Sequence, residues 1–151
     1  MAVTAFFYAH APEFALSRSK AIDWDTSTIK IMLCTSTYVP NQDTHEDKAD
    51  VTNEVVGTGY TAGGATLSSK TIGTTLNVLK LDAADVTWTT STLTARFAVI
   101  YDDSGATDAD KALIGWIDFG EDKSTIASTF KITFDSSGIG IVTPANAPSN
   151  P

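Results

Sequence analysis

Leu93-Thr94-Ala95-Arg96-Phe97-Ala98-Val99-Ile100-Tyr101, followed after an acidic loop by Leu113-Ile114-Gly115-Trp116-Ile117-Asp118-Phe119, carries the strongest structural signal in this chain. β-branched and aromatic residues of this kind suit a pleated, half-buried surface. Alternation places Leu93, Ala95, Phe97, Val99 and Tyr101 on one face of the first run, and Leu113, Gly115, Ile117 and Phe119 on one face of the second. The two runs are predicted to be antiparallel neighbours joined by the loop Asp102 to Asp110.

Working outward, Ile29-Lys30-Ile31-Met32-Leu33-Cys34 sets Ile29, Ile31 and Leu33 on one face, with an opposite face too apolar for solvent. That pattern predicts a central strand covered on both sides. Leu76 to Leu81 and Val86-Thr87-Trp88 read as further strands around the turn Asp82-Ala83-Ala84-Asp85. Phe130 to Phe134 and Ile139 to Val142 read as a terminal hairpin across Asp135-Ser136-Ser137-Gly138, whose residues suit a type I turn. Asp43 to Val51 is the one predicted helix, a short one capped by Asp43 or Thr44. About seven or eight strands in one domain imply a mainly β, antiparallel β-sandwich or jelly roll.

The domain is expected over residues 21–143, with an extended or partly helical N-terminal arm at 1–20 and a small, polar, proline-rich tail at 144–151. Phe6, Phe7, Tyr8 and Phe14 give the arm more aromatic character than a solvated segment needs. Two readings stay open: the rings cap the domain's own core, or they lie on a neighbouring subunit or partner that supplies the other wall. They are the candidate interface residues of this chain.

Composition narrows the function classes. The 151 residues carry 18 acids against 10 scattered bases, a net charge of -8. This argues against nucleic acid, which needs clustered Lys and Arg, and against anionic membranes. Cys34 is the single cysteine, so no intrachain disulfide forms, and within its strand it reads as a small buried hydrophobe. The stretch Met1 to His10 lacks the basic start and long apolar run of a secretory signal. The expectation is a protein that folds in a reducing bacterial cytosol.

The glycine-rich stretch Gly57-Thr58-Gly59-Tyr60-Thr61-Ala62-Gly63-Gly64 imitates a phosphate loop without meeting its requirements. Gly59 and Gly64 have the spacing, but Ala65 and Thr66 stand where Lys and Ser or Thr must follow. The dinucleotide pattern fails at Ala62. A wide loop with a bulge is predicted instead. A nucleophilic triad would need His10 or His45 as its base, and no nucleophile elbow accompanies either. His45, Glu46, Asp47 and Asp50 lack transition-metal spacing and read as a solvated acidic face. The loop 102–110 is the better candidate for a hard cation such as calcium, though it does not follow the EF-hand spacing. Trp24, Trp88 and Trp116 could form a sugar platform, with burial in a β core the favoured reading. No catalytic residue, cofactor or metal site is assigned.

Several phrases, in order, resemble the small auxiliary proteins that decorate or cement the capsids of tailed bacteriophages. They are Ile29 to Cys34 with Thr35-Ser36-Thr37-Tyr38 and the acidic segment after it; Glu54-Val55 leading into Gly57 to Gly64; Asp85-Val86-Thr87-Trp88; Ala95 to Tyr101; and Leu113 to Gly120. The resemblance spans roughly residues 20–142. It implies a non-enzymatic virion protein that binds the major capsid protein on the outer shell at capsomer junctions, as a homo-oligomer, trimer or dimer. It brings no catalytic residues. A subunit of the tail or adsorption device, and a carbohydrate-binding module on the virion surface, are the alternatives.

Overall fold

A computed structural model describes residues 3–75 and 78–142 of the chain. The fold is mainly β and antiparallel, in two facing sheets. Its frame is one long hairpin, β6 (Val86–Asp102) and β7 (Leu113–Ile132), so runs that read separately in the sequence are halves of the same strands. Around it the larger sheet runs β1 (Thr4–Phe7), β7, β6, β2 (Ile29–Cys34) and β3 (Ala65–Thr66). The smaller sheet runs β4 (Thr71–Thr75), β5 (Val78–Asp82) and β8 (Gly140–Val142). The helix α1 (His10–Ser17) follows β1 directly.

Continuous alternation along the hairpin does not hold. Between the pairs Ala95↔Lys123 and Phe97↔Asp118, five steps along β7 match two along β6. Such bulges shift which face a side chain occupies. Asp118 organises this one: its carboxylate accepts from Arg96 Nε at 2.7 Å and from the Gly120 N–H at 2.8 Å. As a result Leu93, Ala95, Ala98 and Ile100 enter the core between the sheets. Phe97, Val99 and Tyr101, expected to share a face with Leu93, join a cluster on the other side of the large sheet. A second irregularity between Ile100 and Tyr101 sends Ile114 to the first core while Leu113 stays with the second.

Strand β2 is central and covered on both faces, as its pattern predicted. Ile29, Ile31 and Leu33 enter the inter-sheet core; Met32 and Cys34 enter the second cluster with Tyr8, Tyr38 and Trp116. Burying each such side chain contributes about 1.5–3 kcal/mol relative to exposure. Leu81 from the small sheet, with Trp24 and Leu67 from loops, packs on the inter-sheet core.

Three local expectations are corrected. Asp43 to Val51 is not a helix: only Lys48–Asp50 makes a single 3-10 turn. The main chain there is taken up by the hairpin's mouth instead, with Lys48 N–H donating to Lys111 O and Leu113 N–H to Glu46 O, both at 2.9 Å. Phe130 to Phe134 and Ile139 to Val142 are not hairpin partners. Phe130 pairs with Trp88 inside the long hairpin, while β8 pairs with β5; the Asp135–Gly138 turn does close, Gly138 N–H donating to Asp135 O at 2.8 Å. Finally, residues 1–20 were expected as an arm outside the domain. Within them β1 is a strand of the large sheet, and Tyr8, Ala11 and Phe14 are buried in this chain. Leu76, Asn77 and the tail 144–151 lie outside the described residues.

Candidate functional site

The glycine-rich segment closes the domain against β2 and β6. Gly64 sits at φ +77°, and a Cβ there would lie 2.0 Å from the carbonyl oxygen of Ile31. Only glycine permits that contact at that angle. Glu54 holds the loop from below, accepting from Tyr60 Oη at 2.7 Å and from the Gly63 N–H at 2.5 Å. Tyr101 Oη donates to Gly63 O at 2.7 Å, and Tyr60 Oη accepts from the Leu33 N–H at 2.9 Å. The bond to Glu54 and the burial of the ring push the Tyr60 phenol above its ordinary range, burial being the larger cause. These groups face other parts of the chain and leave no phosphate cradle.

The acidic loop is likewise tied up by its own chain. Asp103 meets Lys30 at 2.8 Å and Lys111 at 2.9 Å; Asp108 meets Lys48 at 2.7 Å and Lys111 at 3.3 Å. The Lys48 hydrogen bond is the leading cause that holds Asp108 below the usual carboxylate range. Asp102 is fully buried and accepts from the N–H groups of Asp23 and Ser104. Asp110 accepts from Thr107 Oγ1 at 2.7 Å. The loop's carboxylates therefore act as structural acceptors.

The two histidines lie in one neighbourhood with structural partners. His45 Nδ1 is 3.0 Å from Tyr38 Oη, which is 2.7 Å from Tyr8 Oη. With Nδ1 as acceptor, Tyr38 donates to His45 and accepts from Tyr8. His10 Nε2 bonds Asp43 O at 2.8 Å and Nδ1 bonds Glu13 at 3.1 Å, linking α1 to the 41–46 segment. Asp50, of the acidic segment beside His45, accepts from the N–H groups of Glu46 and Asp47. Trp24, Trp88 and Trp116 are all buried, so none presents a face to a sugar. Cys34 is buried too, and burial pushes its thiol up to about 12.

The described residues also form an extended surface feature. On one side of the sandwich, three clefts of about 220, 330 and 560 Å³ share lining residues and run together under β1. Ala5 and Phe7 of β1, Ile114 and Ile117 of β7, and Leu81 and Ile139 from the facing sheet line the middle of this trough. Its rim carries Leu16, 87% exposed, and Ile72, 48% exposed. On the opposite face of β1, Phe6 is 41% exposed and stacks on Trp116 with centroids 4.9 Å apart. Gly115 makes β1's position possible, because a Cβ there would lie 2.5 Å from the Phe6 carbonyl oxygen.

The four aromatic residues singled out in the sequence therefore divide. Tyr8 and Phe14 are buried within this chain, Phe7 packs against the inter-sheet core, and Phe6 stays partly exposed. Leu16, Ile72 and Ile139 were not foreseen. Ile72 is a lone aliphatic residue among polar neighbours and Leu16 follows Phe14-Ala15, and the packing of α1 and β4 beside the cleft brings them together. No family model matches the chain, and neither a curated protein nor a solved structure is similar to it.

Proposed function

We propose that this chain is a non-enzymatic structural protein of a phage virion, bound to the outer capsid surface at capsomer junctions, where it stabilises the shell as a decoration or cement protein. The observation that carries the reading is the apolar central cleft under β1, with Leu16 and Ile72 exposed on the trough's rim and Phe6 exposed on the opposite face of β1, on a chain of net charge -8. An exposed apolar patch on an otherwise acidic, soluble domain marks a protein-binding face. The ordered resemblance of residues 20–142 to capsid auxiliary proteins supplies the identity of the partner, the major capsid protein. A trimer or dimer on a local symmetry axis would multiply weak contacts across the lattice.

The test is co-sedimentation of the purified protein with expanded, undecorated capsids of its phage, followed by heating. Saturable binding with a raised disruption temperature is expected, and Leu16→Asp should weaken it while leaving the fold intact. Deleting residues 1–20 is not a clean test, because it removes β1 and the buried Tyr8 and Phe14. Binding to tails instead of heads would move the protein to the tail or adsorption device. Saturable binding of glycans with no binding to capsids would favour the carbohydrate-binding reading, despite the burial of all three tryptophans.

A further inference from the structure

The outer edge of β1 has the hydrogen-bonding pattern of a vacant strand position. Tyr8 N–H donates to Ile114 O at 3.1 Å, in the same antiparallel register that pairs Phe6 with Trp116 and Thr4 with Asp118. In such a ladder the bonded residues alternate. Thr4, Phe6 and Tyr8 therefore point their main-chain groups at β7, while Val3, Ala5 and Phe7 point theirs away from it. Gln42 Nε2 donates to the Phe7 carbonyl at 2.8 Å, which confirms the outward direction. Among the described residues nothing bonds the outward groups of Ala5 or the Phe7 N–H. The stretch Val3-Thr4-Ala5-Phe6-Phe7 also contains no charge and no proline, two of the devices that guard sheet edges, and β1's own guards are its four-residue length and the Gln42 side chain at Phe7.

We infer that this edge accepts an extended strand of a second polypeptide, whose alternate apolar side chains fill the trough between the two sheets. On the function proposed above, on which this inference rests, that strand belongs to the capsid subunit. Two features define its chemistry. The outward groups of β1 call for an extended backbone of about five residues, roughly 17 Å at strand rise. The central cleft is lined wholly by uncharged side chains, including Phe7, Leu81, Ile114 and Ile139. A charged side chain inserted there would be buried without a partner, so the inward residues must be apolar.

Two nearer occupants fail on the same grounds. The chain's own C-terminal sequence, Thr143-Pro144-Ala145-Asn146-Ala147-Pro148-Ser149-Asn150-Pro151, has no large apolar residue and three prolines without an N–H. A second copy's β1, paired edge to edge, would bring Ala5 and Phe7, which already line that copy's own trough.

The experiment compares hydrogen–deuterium exchange over residues 3–8, free and on expanded capsids, with capsid affinity for wild type, Ala5→Pro and Ala5→Leu. Proline at residue 5 removes an outward N–H without touching a bond to β7. Leucine at residue 5 instead fills the trough. The expected result is fast exchange of the outward amides when free, protection when bound, and at least about tenfold weaker binding for either variant at unchanged thermal stability. If wild type binds but residues 3–8 stay unprotected, or both folded variants bind like wild type, the strand-acceptor inference is overturned and the capsid reading stands. If the outward amides are already protected in the free protein, the edge is filled within the chain and the inference falls as well. If wild type binds no capsid form, the functional reading fails and the inference with it. Should Ala5→Pro unfold, Ala5→Leu and the exchange pattern still decide.

Discussion

Replacing Gly64 by alanine tests whether the glycine-rich segment closes the domain. At φ +77° an alanine costs about 1–2 kcal/mol in backbone energy alone. Its Cβ would also fall 2.0 Å from the Ile31 carbonyl oxygen and 2.6 Å from Met32 Cα, both main-chain atoms of the central strand. Neither can yield as a flexible side chain could, so the turn must lift. Lifting it pulls the Gly63 carbonyl from Tyr101 Oη, whose residue is fully buried, and strains the bond from the Gly63 N–H to Glu54. A buried hydroxyl left unpaired costs about 1–3 kcal/mol. The sum is about 2–5 kcal/mol, a large share of the roughly 5–15 kcal/mol that holds a domain of ordinary stability. The matched control is Gly73→Ala in β4, where an added Cβ meets nothing within 4 Å. That change should be neutral or stabilise by up to about 1 kcal/mol. Urea unfolding followed by tryptophan fluorescence reads both. With a slope near 2 kcal/mol/M, Gly64→Ala should lower the midpoint by about 1–2.5 M. A Gly64→Ala protein within about 1 kcal/mol of wild type would refute the closing role.

Further outcomes follow from the buried polar groups. Tyr38→Phe strips Tyr8 Oη of its one hydrogen-bond partner in a fully buried setting, and should cost about 1–3 kcal/mol in urea unfolding; no measurable loss would mean another acceptor reaches Tyr8. His10 should titrate above its ordinary value of about 6.5, chiefly through its bond to the Asp43 carbonyl and then through Glu13. Because the folded value is the raised one, its support of the α1 to 41–46 contact is complete below the unfolded value. That support is lost as pH rises through the folded value. An NMR midpoint for His10 at or below the ordinary value would contradict the geometry. Cys34, with its thiol pushed up to about 12 by burial, should resist a thiol reagent in the native protein and react only on unfolding; prompt stoichiometric labelling under native conditions would show that the second cluster opens.

Much of the sheet could be read from residue patterns, because patterns report burial and burial is what a strand's faces express. Strand β2 was readable for that reason: Ile29, Ile31 and Leu33 announce one covered face, Met32 and Cys34 the other. Alternation misled at Arg96, because nothing in Ala95-Arg96-Phe97 signals that β7 will carry extra residues opposite it. The helix was misplaced for a related reason. Asp43 to Val51 has capping residues and early carboxylates, but its main chain finds better partners in Lys111 and Leu113, far along the sequence. His10-Ala11-Pro12-Glu13-Phe14 carries proline near a helix start, in an arm read as extended or partly helical. The candidate surface was only half readable. Phe6 was singled out, but the trough depends on the gap between two sheets, a long-range property that no local window contains.

The bulge at Asp118 links these observations. β1 begins at Thr4, paired with Asp118, at the position where β7 departs from its regular register. Beyond that point β7 accommodates its extra residues and offers no regular edge for β1 to follow. The Arg96–Asp118 ion pair sits at that end of β1, and Gly115 at the other end lets the strand approach closely enough to pair at all. A strand of only four residues leaves the inter-sheet core uncovered alongside it, with Ala5 in the middle and Leu81 and Ile139 across the gap. The open trough therefore lies beside β1, next to the bulge of the long hairpin. An incoming strand would meet a floor fixed by β7, an edge fixed by β1 and a wall fixed by the small sheet, with little to order on binding beyond itself.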